Sequence, residues 1–223
     1  MSKLCRAAYL TLVTLLASTA SAEPDQNLEG EIISSGSYFH VLVYSDGLLS
    51  GFGHDHIIAA QKWRGNYQLS QEGKLQASLR FHVQDLAVDR ESDRALYPHL
   101  ADKTQPSKED IAGTKKNMLS AELLDGKNHP VILARVSADI KHKKMKLDLT
   151  LGGNETTTHA PYKISCDNET MTAKGTFRID HSDLKLKPFS ALFGTIKVAE
   201  TLDFTFSASL SVNCETLSQY ELP

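Results

Sequence analysis

Two histidines separated by one residue are the part of the sequence best suited to chemistry. His54 and His56 would point to the same side of a strand, two rises of about 3.3 Å apart, so both imidazoles could reach one metal ion. A zinc site needs a third protein ligand. His40, on the preceding predicted strand, is the natural candidate, with His82 and His181 behind it. The pattern therefore allows a metal or haem site.

The same histidines fit two other roles. They could pair with carboxylates or carbonyls at one end of the fold, or they could contact the polar headgroup of a ligand. Phe52 and Trp63 lie close in sequence and favour a binding role for His54 and His56 over a purely structural one. An isolated pair of histidines does not decide between these interpretations.

Motifs of common enzymes are not present in the sequence. It contains no G-x-S-x-G nucleophile motif, no H-E-x-x-H zinc motif and no glycine-rich phosphate loop. The 24 basic and 27 acidic residues give a net charge of -3, whereas duplex binding requires a basic surface. We therefore predict a non-enzymatic protein that does not bind nucleic acid.

The first 22 residues have the organisation of a signal peptide. Lys3 and Arg6 precede an apolar run from Ala7 to Ala17, and Ala20 to Ala22 form an A-x-A cleavage site. Since no segment reaches the roughly 18 to 20 apolar residues of a transmembrane helix, we predict no membrane span. The expected organisation is a signal peptide at 1–22 and one domain at 23–223, located in the periplasm or secreted.

Two cysteines remain after the predicted cleavage. Cys5 is removed with the signal peptide, which leaves Cys166 and Cys214. In an oxidising compartment such a pair predicts a disulfide, which would stabilise the fold by roughly 3 to 4.7 kcal/mol. Two free thiols buried near the end of the sheet are the alternative.

The chain after the signal peptide alternates between apolar and polar residues, as half-buried strands do. The clearest segments are Lys74–Asp85, Met145–Leu151 and Leu202–Val212, and a weaker one covers Leu48–Ala60. Ser107 and Asp110 form a capping box that begins a predicted helix from Ser107 to Leu124. Eight or more strands in one domain predict either a sandwich or a closed barrel, and periodicity alone does not decide between them.

Five segments, 38–47, 53–60, 149–152, 177–184 and 194–198, together resemble, by their order and spacing, the YceI-like family. The resemblance implies an all-β fold, an antiparallel lipocalin-like β-barrel of about eight strands with one helix packed alongside. It also implies an exported protein, in most members without enzymatic activity, that in some members holds a polyisoprenoid chain inside the barrel.

The leading hypothesis is an exported carrier whose partner is a small amphiphilic lipid such as an isoprenoid. Its alternatives are a metal- or haem-binding protein that uses His54 and His56, and an interaction module whose polar segment from Asp89 to Gln105 contacts a partner. The barrel could also be filled by its own side chains. The predicted ligand contacts are Phe52, His54, His56, Trp63, Leu79, Phe81, Leu147, Leu149, Phe177, Ile179, Phe204 and Phe206.

Overall fold

The computed structural model describes residues 27–100, 105–215 and 217, except for the side chains of Phe52 and Leu192. The predicted signal peptide at 1–22 lies outside these residues. Two α-helices are present in the described part, α1 (Glu91–Arg94) and α2 (Lys108–Met118). Its strands are β1 (Leu28–Val43), β2 (Ser45–Asp46), β3 (His56–Ala60), β4 (Trp63–Leu69), β5 (Lys74–His82), β6 (Leu86–Val88), β7 (Val131–Asp139), β8 (Lys144–Leu151), β9 (Asn154–Ala160), β10 (Lys163–Asp167), β11 (Thr170–Asp180), β12 (Ser190–Ala191), β13 (Ile196–Val198) and β14 (Thr201–Ser211).

One antiparallel sheet carries most of the structure. Its strands are hydrogen-bonded in the order β10-β11-β14-β1-β4-β5-β7-β8-β9, and β3 pairs with both β1 and β6. The 16-residue strand β1 turns the sheet, because its first residues pair with β4 and its later residues pair with β14. The register shifts between Ile33 and Tyr38, where Gly36 has a positive φ of 77°.

The sheet curls strongly into a half-barrel. Its two edge strands, β9 and β10, follow one another in the chain, but no ladder of the described residues joins them. The all-β antiparallel prediction with one substantial helix is therefore confirmed, and the sandwich alternative is wrong. No helix of the described residues has the length and hydropathy needed to cross a membrane.

The predicted alternation decides which side chains face the inside of the curl. In β5, Leu75, Leu79 and Phe81 are buried, whereas the intervening Gln76 and Arg80 are exposed. This strand ends at His82 rather than at Asp85, because the chain turns into a short 3-10 helix at Val83–Asp85.

Two predicted elements are shorter in the structure. Helix α2 has the predicted capping box, in which the Ser107 hydroxyl accepts from the Asp110 N–H, but it ends at Met118 instead of Leu124. Residues 119–126 form a turn, closed by the N–H of Gly126 donating to the carbonyl of Leu119. The strand predicted over Leu48–Ala60 is limited to β3, because a 3-10 helix and a loop occupy the residues before it.

The buried side chains divide into two main clusters along the axis of the curl. We call one the closed end, where β4, β5, β7, β8, β10 and β11 pack around Leu69, Ile140 and Met171. We call the other the open end, where α2 and β6 cover the sheet around Val83 and Leu184.

A disulfide joins Cys166 and Cys214, as predicted, with their Cα atoms 5.7 Å apart. It ties β10 to the segment after β14, and Cys166 packs against the closed-end cluster. The alternative of two free thiols is therefore wrong.

Candidate functional site

A cavity of about 590 Å³ lies inside the curl between the two clusters. Its volume falls within the range of about 300 to 1,000 Å³ that is common for small-molecule sites. The interior is therefore not filled by its own side chains, which was the alternative to a carrier. The predicted ligand contacts that line it are His54, His56, Leu79, Phe81, Leu147, Leu149, Phe177, Phe204 and Phe206.

The remaining predicted contacts lie elsewhere. Ile179 packs into the open-end cluster rather than onto the cavity wall. Trp63 stands behind the wall, where it meets the ring of Phe39 edge-on at 4.9 Å. The side chain of Phe52 lies outside the described residues. Neither Ile179 nor Trp63 lines the cavity, because alternation along a strand gives the face of a side chain but not its depth behind its neighbours.

Aromatic rings form much of the cavity wall. Phe177 stacks on Phe204 across β11 and β14, with ring centroids 5.2 Å apart, and Phe206 meets Phe177 at 6.3 Å. On the other side, Phe39 contacts Phe81 edge-on at 5.3 Å. These offset-stacked and edge-to-face arrangements are the geometries that aromatic pairs prefer.

Helix α2 covers the open end of this cavity. Asp110, Thr114 and Met118 are spaced by four residues, so they share one face of the helix, and all three line the cavity. The helix thus presents polar groups over its first turns and an apolar side chain at its end. An amphiphile in the cavity would meet the same gradient from polar to apolar.

Both predicted histidines contact this helix. His54 Nε2 lies 3.3 Å from Asp110 Oδ2, and His56 Nε2 lies 3.2 Å from Thr114 Oγ1. Their rings are 6.1 Å apart, so they lie on the same side as predicted, although His54 precedes β3 instead of belonging to it. We call these four residues the polar mouth.

A buried ionic network holds His56 from behind. Its Nδ1 lies 2.5 Å from Asp89 Oδ2, and the other carboxylate oxygen accepts from the Ile57 N–H at 2.9 Å and from Arg94 at 2.6 Å. Burial acts to raise the pKa of Asp89, but the hydrogen bonds from His56 and Ile57 outweigh it and hold that pKa below its ordinary value. Asp89 beside Nδ1 and Thr114 beside Nε2 together fix the orientation of the His56 ring.

His40 makes a separate contact with the segment around α1. Its Nδ1 is 3.0 Å from the Tyr97 hydroxyl, and its Nε2 is 3.7 Å from Asp93. Burial lowers the pKa of His40, partly opposed by Asp93. This side chain is therefore kept neutral and faces the segment around α1.

The three-histidine metal site does not form. His40 contacts the Tyr97 hydroxyl, whereas the Nε2 atoms of His54 and His56 each contact a side chain of α2. Among the described residues, no group of three or more His, Cys, Asp and Glu side chains could hold a metal ion. The predicted role of His40 as third ligand is therefore wrong, and nothing in this geometry favours the metal or haem alternative.

Sequence reasoning missed the partners of these histidines. Asp110 was visible only as a capping residue, although its spacing of four to Thr114 marks a shared helix face. Asp89 and Arg94 were part of a polar segment without a recognisable pattern, and only the folded chain brings them to His56. The spacing of Asp110 and Thr114 could have indicated the contact with α2. No pattern in the sequence could have indicated the network behind His56.

Solved structures share this fold. BcnA of Burkholderia cenocepacia, a YceI-like protein, matches with a TM-score of 0.57 and 14% sequence identity over 81% of this chain and 99% of its own. The YceI protein of Campylobacter jejuni matches with a TM-score of 0.47 and 10% identity over 69% of this chain and 83% of its own. No protein-family model matches the sequence, and no curated protein matches it significantly. The match to BcnA confirms the expected architecture.

Proposed function

Since the chain has the fold of the YceI-like protein BcnA, we propose that it is a carrier that holds an isoprenoid or a similar amphiphilic lipid. One observation supports this above the others: the curl encloses an apolar cavity of about 590 Å³ whose polar groups concentrate at the polar mouth. Each CH₂ group moved from water into such a cavity contributes about 0.8 kcal/mol, so a hydrocarbon chain is the favoured occupant.

The polar mouth would receive the headgroup. Asp110 and Thr114 offer oxygen atoms and His54 an imidazole, and all three line the cavity. Lys197, on β13, also lines it. A ligand with a hydrogen-bonding headgroup and an apolar tail fits this arrangement, because each part meets groups of its own kind.

A non-enzymatic role is supported by the position of Thr114. Asp89, His56 and Thr114 follow one another as a carboxylate, an imidazole and a hydroxyl, the order found in nucleophilic triads. However, Thr114 lies inside α2, where helical hydrogen bonds engage the backbone N–H groups that an oxyanion would require. The same three groups serve instead to fasten α2 to β3.

Export to the periplasm or the medium is part of the proposal. The signal-like sequence at 1–22 supports it, and so does the disulfide, since disulfides persist in oxidising compartments. Removal of residues 1–22 would leave 22 basic and 27 acidic residues, a net charge of -5. Fractionation of the host and sequencing of the mature N-terminus, expected at Glu23, would test this part.

Native mass spectrometry of protein purified from its own host tests the carrier proposal. We expect a bound species that lipid extraction identifies as an amphiphile. Ala134→Phe, which adds a ring to the cavity wall on β7, should lower its occupancy at least about tenfold, since the ring competes for the same space. The matched control is Arg135→Phe on the exposed face of the same strand.

Leu149→Phe gives a milder change if Ala134→Phe does not fold. Leu149 is half-buried and lines the cavity, so the larger ring can be accommodated at the cost of ligand space. Protein that carries no lipid, or occupancy that is the same in the cavity and control variants, would contradict the proposal.

A further inference from the structure

Two loops lie side by side at the rim of the cavity. β2 pairs with β13 through Asp46 and Lys197, and the N–H of Leu49 donates to the carbonyl of Thr195 at 2.9 Å. A Cβ atom at Gly47 would lie 2.7 Å from that carbonyl oxygen, so only glycine lets the loops approach this closely. We call residues 47–50 and 189–195 the mouth tip.

The mouth tip exposes large apolar side chains. Leu48 is 90% exposed and Phe193 is 108% exposed, and no other large apolar residue described by the structure exceeds 58%. Phe189 is 43% exposed and also lines the cavity. These side chains add nothing to the core, so folding does not account for their position.

The backbone at Phe193 adds a second observation. This residue has φ 55° and ψ 34°, the left-handed conformation that bulky residues rarely adopt. Glycine or asparagine would be the ordinary choice at such a position. A strained aromatic residue at full exposure indicates a function that requires the ring there.

The surroundings of the mouth tip indicate what it contacts. The tip is continuous with the cavity, because Phe189 belongs to both. Lys185, Lys187 and Lys197 are exposed beside it, and Asp46 pairs with Lys197 at 3.1 Å. Projecting apolar side chains flanked by lysines are complementary to a phospholipid bilayer, whose interface combines an apolar layer with anionic headgroups.

We propose that the mouth tip docks the protein onto a phospholipid bilayer, with Leu48 and Phe193 inserted into the interface and the cavity opening towards the lipid. Docking would let a hydrocarbon chain pass between bilayer and cavity without crossing water. This purpose rests on the proposed carrier function, but the docking itself can be measured independently of it.

Flotation with vesicles of phosphatidylethanolamine and phosphatidylglycerol tests the docking. The variant Leu48→Ser/Phe193→Gly removes both side chains, and glycine tolerates the local φ, so the fold should be retained. We expect vesicle partitioning to fall about 100-fold, since burial of each large apolar side chain accounts for at least about tenfold. Partitioning of the wild type should persist at high salt, because apolar insertion is not screened.

The matched control is Leu28→Ser/Leu96→Ser. Both residues are exposed, at 40% and 58%, and lie outside the mouth tip, with Leu28 paired to Leu69 at the closed end. This variant should partition like the wild type. An equal loss in control and tip variants, loss at high salt, or no flotation of the wild type would each overturn the proposal. So would a wild-type dimer that only the tip variant dissociates, since a second copy would then be the occupant.

A fluorescent fatty acid in vesicle-free solution separates the two proposals. Probe binding should be the same in the wild type and the tip variant, because the tip side chains project away from the core. Probe binding without flotation would overturn the docking and leave the carrier function. Flotation without probe binding would overturn the carrier function and leave the docking.

Discussion

The closed end of the half-barrel packs Leu69, Ile140 and Met171 almost completely away from solvent, whereas the carboxylate of Asp89 is buried beside the open end. At the closed end, the disulfide ties β10 to the segment after β14, and interlocking apolar side chains surround Leu69, Ile140 and Met171. At the open end, His54 pairs with Asp110 and His56 contacts the Thr114 hydroxyl, and these contacts fasten α2 over the cavity.

This difference means that the closed end mainly determines the stability of the fold, whereas the open end determines access to the cavity. Close apolar packing is lost only when the fold is lost, but individual polar pairs at a rim can part while the rest stays folded. No buried side-chain nitrogen or oxygen among the described residues lacks a hydrogen-bond partner, so the buried polar groups at the open end are all paired in this structure. We therefore expect substitutions at the closed end to act mainly on the free energy of unfolding, and those at the open end mainly on α2.

Removal of the disulfide should have the largest effect. Cys166→Ser/Cys214→Ser is expected to lower the free energy of unfolding by roughly 3 to 4.7 kcal/mol, because the bond closes a loop with a sequence separation of 48. Urea denaturation measures this. Probe binding by the folded fraction should not change, and a loss of binding in that fraction would show that the two ends are coupled.

A comparison of two leucines sharpens the contrast in packing. Leu69→Ala at the closed end should cost about 3 kcal/mol, because Leu69 is 1% exposed and tightly surrounded. Leu149→Ala, on the cavity wall, should cost about 1 kcal/mol, because this side chain is only half-buried and already borders empty space. Equal losses in the free energy of unfolding, measured by urea denaturation, would contradict the position of the cavity beside Leu149.

The buried carboxylate should make the open end sensitive to acid. The pKa of Asp89 in the folded protein lies below its unfolded value of about 3.9, so its stabilisation is complete above about pH 4 and is lost as the pH falls through the folded pKa. Asp89→Asn should cost about 2 kcal/mol at neutral pH. Urea midpoints measured at falling pH should decline less in this variant than in the wild type.

The smallest expected effect is at the polar mouth. His54→Ala removes the contact with Asp110 but leaves the capping box of α2 intact. Since such exposed pairs contribute little, the urea midpoint should hardly change. Hydrogen exchange in α2 should nevertheless become faster. His99→Ala at an exposed position serves as the control, and unchanged exchange in both variants would mean that His54 does not fasten the helix.

Local patterns in the sequence predicted much of the fold. The alternation in β5 and β8 gave the inward face, and Ser107 with Asp110 gave the start of α2. The cysteine pair also proved correct. Each of these depends on neighbouring residues or on simple counting, so the sequence carries the information directly. The ends of elements, such as the termination of α2 at Met118, were less predictable because turns and tertiary packing decide them.

The candidate site was predicted only in part. Leu79, Phe177 and Phe204 were predicted on the inward face and do line the cavity. Alternation of apolar and polar residues along a strand identifies this face reliably. His40 was assigned to a metal site, yet it contacts Tyr97, which is 57 residues away in sequence. No local pattern could indicate that partner, since it depends on how the segment around α1 folds back over β1.

The sequence by itself therefore determined which side chains are apolar and which face of each strand they occupy. Whether those faces pack against one another or enclose a space was decided only by the tertiary structure. The reason is the path of β1, which pairs first with β4 and then with β14 and so bends one sheet into a half-barrel. Curvature of this kind arises from contacts between distant strands, and these leave no periodic trace in the chain.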